Sequence, residues 1–153
     1  MSSRKLLQWT GILFIVLLVN TAYISAFASP TIFYMGNVLL HFVLGVALTV
    51  ALLFLLRQFP VAAGFFLAAS ALGLFLAIRG NTLDHRWALV AHIVAAAVGL
   101  MVLTPFAMRQ APPFRKAFQV SLALLVAFPL ATAVYRNLLD DEPTPAETAY
   151  FTA

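Results

Sequence analysis

The sequence predicts an all-α integral membrane protein, a bundle of five transmembrane helices with an acidic tail outside the membrane. Three observations carry that expectation. Of the 153 residues, 63% are hydrophobic and only 9% charged, and the mean hydropathy is +1.00. That is more apolar surface than a soluble domain of this size can bury. Five apolar runs approach or exceed the roughly 20 residues that a hydrocarbon core about 30 Å thick demands, and none alternates as barrel strands do. The connectors are short and made of turn formers: Ser29-Pro30, Gln58-Phe59-Pro60, Gly80-Asn81-Thr82 and Ala111-Pro112-Pro113.

The runs are taken in chain order. The first, about 6–28, follows Arg4-Lys5 and ends at Ala26-Phe27-Ala28. A basic start and an A-x-A end also suit a cleaved secretory signal, but the run is long for one and is expected to remain as a helix. The second, 32–56, carries Asn37, His41 and Gly45. The third, 61–78, has Gly64-x-x-x-Ala68 and Ala69-x-x-x-Gly73, the small-residue spacing of packed membrane helices. The fourth, 87–108, holds His92, with Asp84 expected to cap its start and Pro105 to kink its far end. The fifth, 118–135, contains Pro129. Residues 1–139 thus form one transmembrane domain, and residues 140–153 an acidic, proline-containing extended tail.

Charge sets the orientation. Arg4, Lys5, Arg57, Arg109, Arg115 and Lys116 share one side, while Arg79, Arg86, Arg136 and every acid share the other. The positive-inside rule then puts the N-terminus in the cytoplasm and the C-terminus outside, in a bacterial inner membrane. Trp9, Tyr23, Tyr34, Trp87 and Tyr135 fall near span ends, where interfacial aromatics belong. The basic pI reflects this topology and does not point to nucleic acid.

Absences narrow the chemistry. Without cysteine, the chain itself can hold no disulfide, thiolate metal site, iron–sulfur cluster or covalent c-type haem. It also lacks a phosphate loop, a nucleophile elbow and an H-E-x-x-H pair. The acids crowd one surface and the tail, so no acid–base pair inside a pocket is indicated, and no independent catalytic activity is expected.

Two histidines are the informative residues. His41 and His92 are the ionisable side chains deepest in any span, and ionisable groups inside a membrane read as functional sites. Both helices enter from the outer side. His41 then lies about 12 Å deep and His92 about 8–10 Å, at 1.5 Å per residue. Two imidazoles at one level on different helices suit a single non-covalent haem b, with His41 and His92 as its axial ligands. Gly45, Ala88, Ala95, Ala96 and Gly99 would keep the flanking faces slim. Arg79 and Arg86 stand at the outer mouth, suited to haem propionates. His85, seven residues before His92, is expected above the haem edge, as a proton acceptor from quinol or as a solvated interfacial residue. Two alternatives remain: a cofactor-free assembly subunit whose histidines only hydrogen-bond, and a pigment subunit in which Ala88-Leu-Val-Ala-His92 holds a bacteriochlorophyll.

The segments His41-Phe-Val-Leu-Gly45 and Asp84-His85-Arg86-Trp87 through His92 loosely resemble the membrane part of bacterial b-type cytochromes, over roughly residues 33–109. The family includes helical membrane domains attached to multihaem cytochromes. The resemblance implies transfer of electrons from membrane quinol to periplasmic haem partners such as c-type cytochromes. It also implies axial ligation by His41 and His92 and a quinol-side place for His85. Di-haem members need four histidines and this chain has three, so one haem at most is implied. No C-x-x-C-H motif is present, so further carriers must come from other chains.

Overall fold

The computed structural model of the protein describes residues 3–27, 31–55, 57–80 and 82–139. The acidic tail and the Ala28, Ser29, Pro30 and Asn81 connector residues lie outside the described residues. Five α-helices occur in order: α1 (Ser3–Ala26), α2 (Ile32–Phe54), α3 (Pro60–Arg79), α4 (Arg86–Met108) and α5 (Pro112–Leu139), with one 3₁₀ turn (Leu83–His85) before α4. Among the described residues there is no strand. All five helices are long and apolar enough to cross a membrane. Even α3, with 20 residues, is about 30 Å long, the thickness of the hydrocarbon core.

Local chemistry sets the helix ends. Thr31, in an extended conformation, caps α2 by accepting the Tyr34 N–H at 3.1 Å. Pro60 opens α3 at a position where a missing N–H costs nothing. Gly80 ends it at φ +80°, a conformation that only glycine adopts without strain. Three ends differ from expectation. The fifth helix begins at Pro112 and not near 118, because Pro112 and Pro113 fit a first helical turn. It runs on to Leu139 past Arg136, since hydropathy marks the hydrocarbon layer while helical hydrogen bonds continue beyond it. Asp84 does not cap α4: it sits in the 3₁₀ turn, the cap position is His85, and no side chain caps that end. Pro105 and Pro129 lie inside α4 and α5, both of which continue through them.

The helices alternate in direction, and α5 runs parallel to α1. The main packing partners are α3 with α4, α1 with α5, α1 with α2 and α2 with α3, while α5 leans only lightly on α4. The core lies at one end, where α1, α3 and α5 begin and α2 and α4 finish. There Phe14 stacks on Phe118 at 5.9 Å and meets Phe66 edge-on at 6.0 Å. Leu48, Ala62, Ala63 and Phe118 are fully buried beside them. Gly99 makes this packing possible, since a Cβ there would stand 2.9 Å from the Phe66 ring. Arg4, Lys5, Arg57, Arg109, Arg115 and Lys116 all belong to this basic end. Towards the opposite, histidine end burial thins out, and Val134, Tyr135 and Leu138 of α5 are exposed.

Candidate functional site

One face of α2 carries Asn37, His41, Gly45 and Thr49 at intervals of four residues, so an otherwise apolar helix presents a polar stripe. Each member with a side chain meets another helix. Asn20 Nδ2 of α1 donates to Asn37 Oδ1 at 3.1 Å. Thr49 Oγ1 donates to the Phe66 carbonyl at 3.2 Å and pairs with Ser70 Oγ of α3 at 2.7 Å. Asn20, Asn37 and Ser70 thus bond across helices, as intramembrane polar groups must to offset their desolvation. Asn20 Oδ1 is buried with no partner among the described residues.

At the centre of the stripe stands His41. It lies nine positions after Ile32 in α2, and His92 lies six after Arg86 in α4, about 14 and 9 Å along their helices. The two rings come together: their centroids are 6.2 Å apart and their planes cross at 66°. Both are partly buried. The backbones of α2 and α4 touch little, so the rings span a gap between helices held apart by α3.

Hydrogen bonding assigns the tautomer of each ring. His92 Nδ1 is 2.8 Å from the Ala69 carbonyl, which can only accept, so Nδ1 carries the proton. His41 Nδ1 is 3.3 Å from Thr21 Oγ1. That hydroxyl spends its one hydrogen on the Leu17 carbonyl at 2.7 Å, so it accepts from His41 Nδ1–H. In the neutral form of each ring Nε2 then keeps its lone pair, and among the described residues no hydrogen bond reaches either Nε2. Two imidazoles, each oriented from behind through Nδ1 and each with Nε2 unengaged among the described residues, can coordinate a metal or accept a proton.

Glycines and alanines shape the surroundings unevenly. Gly73 lies against His92, where a Cβ would be 3.3 Å from ring Cε1. Beside Gly45 a Cβ would meet nothing within 4 Å, so the α2 face below His41 is open. The small residues of α4 behave otherwise. Ala88, Ala95 and Gly99 are buried, and Gly99 is filled by Phe66 of α3. They form the α3–α4 seam and leave no room there for a planar ligand. Ala69-x-x-x-Gly73 lies at His92, whereas Gly64 is open.

His85 stands apart from the pair. The seven-residue spacing to His92 assumes a continuous α-helix, but α4 begins only at Arg86 and His85 closes the 3₁₀ turn. Its Nδ1 lies 2.9 Å from Thr82 Oγ1, and its ring meets Phe75 edge-on at 5.2 Å. Arg79 in the last turn of α3 and Arg86 at the start of α4 are both exposed. Thr82, Leu83, Arg86 and Leu89 line a shallow hollow of about 440 Å³ at this end.

Thr21, the Ala69 carbonyl and Gly73 complete the site, and the sequence alone did not single them out for it. Thr21 follows Asn20 as the only adjacent polar pair deep in the first run, which was a usable signal. A backbone carbonyl leaves none. No family model matches the chain, no curated protein matches its sequence and no solved structure matches its fold.

Proposed function

We propose that the chain is the membrane subunit of an electron-transfer complex, binding one haem b between His41 and His92 and linking quinol to an external haem partner. The observation that carries this reading is the histidine pair itself. His41 and His92 would hold the haem iron through their Nε2 atoms, which no hydrogen bond engages among the described residues. Their ring centroids are 6.2 Å apart, and both rings donate Nδ1–H to oxygens behind them. That rear support is the usual companion of a metal-bound histidine. Open space at Gly45 suits a macrocycle standing against α2.

When bound, the haem supplies a one-electron carrier whose potential depends on its axial ligands and the polarity around it. The chain does the rest. Thr21 and the Ala69 carbonyl hold the rings in the ligating tautomer. Phe14, Phe66 and Phe118 close the basic end of the bundle against water. The hollow at Thr82, Leu83, Arg86 and Leu89, beside His85, offers a docking place for a quinol head, with Arg79 and Arg86 as propionate partners. Positive-inside charge supports an N-in, C-out orientation in a bacterial inner membrane, with c-type cytochromes as the outer partners.

The engaged Nδ1 atoms also suit a cofactor-free subunit, whose histidines would need no ligand. Two separately ligated bacteriochlorophylls fit poorly, because rings only 6.2 Å apart cannot each carry its own macrocycle. A reduced-minus-oxidised visible spectrum of the protein in its intact complex decides among them. The expected result is a b-type α-band that is lost in His41→Ala and in His92→Ala. A colourless complex overturns the proposal, and a red-absorbing pigment replaces it.

A further inference from the structure

The basic end carries a second feature, one that shares no residue with the histidine layer. Between α1 and α2 runs a groove of about 340 Å³, walled by Leu6, Trp9, Leu13 and Val16 on one side and Leu44 and Ala51 on the other. Its walls present no polar surface. Thr10 on the wall turns its hydroxyl back to the Leu6 carbonyl at 2.8 Å. Val16 lies ten positions after Leu6 in α1, a rise of about 15 Å, or half of a hydrocarbon core of about 30 Å. The groove therefore serves one leaflet only. A partner helix would need a face along the whole thickness, whereas a single acyl chain needs just this length.

Charge names the headgroup. Arg4 and Lys5 immediately precede Leu6 at the mouth of the groove, and both are exposed. Arg57, also exposed, follows α2 at the same end. Among the described residues the only acid is Asp84, at the opposite end of the bundle, so no carboxylate there neutralises these cations. We infer that the α1–α2 groove is a binding site for an anionic phospholipid, its acyl chain lying along Leu6–Val16 and its phosphate at Arg4 and Lys5. Basic clusters at helix ends recognise anionic lipid headgroups in this way, and the apolar groove adds retention along the chain.

The test uses the full chain in phosphatidylcholine nanodiscs with a trace of lipid spin-labelled on its acyl chain, either phosphatidylglycerol or phosphatidylcholine. Electron paramagnetic resonance reads the motionally restricted fraction. Phosphatidylglycerol is expected to associate about threefold or more above phosphatidylcholine, given attraction of each cation to anionic lipid. Arg4→Gln with Lys5→Gln should bring the ratio to unity while the helical circular dichroism is unchanged. Ala51→Phe, filling the groove, should shrink the restricted fraction for both labels. Equal association of the two lipids in the unaltered protein overturns the inference. So does a preference that survives the double substitution, or one abolished only by replacing Arg109, Arg115 and Lys116. None of these readouts depends on haem.

Discussion

The Nδ1–H of His92 donates to the Ala69 carbonyl at 2.8 Å across the α3–α4 seam, and Gly73, one turn further along α3, has no side chain to block the ring. A backbone atom and an absent Cβ thus fix a histidine inside a membrane. Both are features of α3, which carries no histidine.

Gly73→Leu is expected to push His92 away from Ala69, because even the Cβ would stand 3.3 Å from ring Cε1. Loss of such rear support typically weakens metal binding by about 10–100-fold. Haem per protein should fall accordingly, measured as pyridine haemochrome against total protein. Gly64→Leu on the same helix, with nothing within 4 Å of its Cβ, should leave haem content unchanged. Matching losses in the two variants would refute this role for Gly73.

Thr21→Val removes the oxygen that accepts from His41 Nδ1–H and keeps the side-chain shape. Haem affinity should drop by about tenfold, and Thr21→Ser should restore it. Titration of haem into the purified protein reads the effect. Full affinity in the valine variant would show that His41 needs no support from α1.

Thr49→Val breaks the bonds from α2 to Phe66 and Ser70 of α3. Interhelical hydrogen bonds of this kind contribute about 1 kcal/mol in membranes. The expected loss in a detergent unfolding assay is of that size, with haem binding retained, since Thr49 lies two turns from His41. A loss of haem without a loss of stability would contradict the assignment.

Gly99→Ala places a Cβ 2.9 Å from the Phe66 ring, which is itself held by Phe14. Overpacking of this sort costs about 1–3 kcal/mol. Gly36→Ala, with open space around it, should be near neutral in the same unfolding assay.

Much of the architecture was legible because the bilayer writes it into composition. Runs long enough to cross hydrocarbon, separated by proline and glycine, leave little alternative to a helical bundle. The start of α5 was not legible from the apolar run, since Arg115 and Lys116 interrupt hydropathy without interrupting the helix. His41 and His92 stood out because charge fixed the direction of their helices and counting fixed their depth. Thr21 and Ala69 did not, because a hydroxyl at the right height or a carbonyl turned to a ring has no signature in spacing. The 3₁₀ turn that ends at His85 was not legible either, because the chain does not announce where 3₁₀ gives way to α-helix.

Phe14, Leu48, Phe66, Leu103 and Phe118 join all five helices in one cluster towards the basic end, and the histidine end holds no comparable cluster of large buried side chains among the described residues. Above that cluster the helices are tied by single polar contacts, Asn20 with Asn37, Thr21 with His41 and the Ala69 carbonyl with His92. A substitution confined to one of these contacts therefore leaves the aromatic cluster below intact. Apolar packing and polar pairing are thereby carried by different residues at different depths.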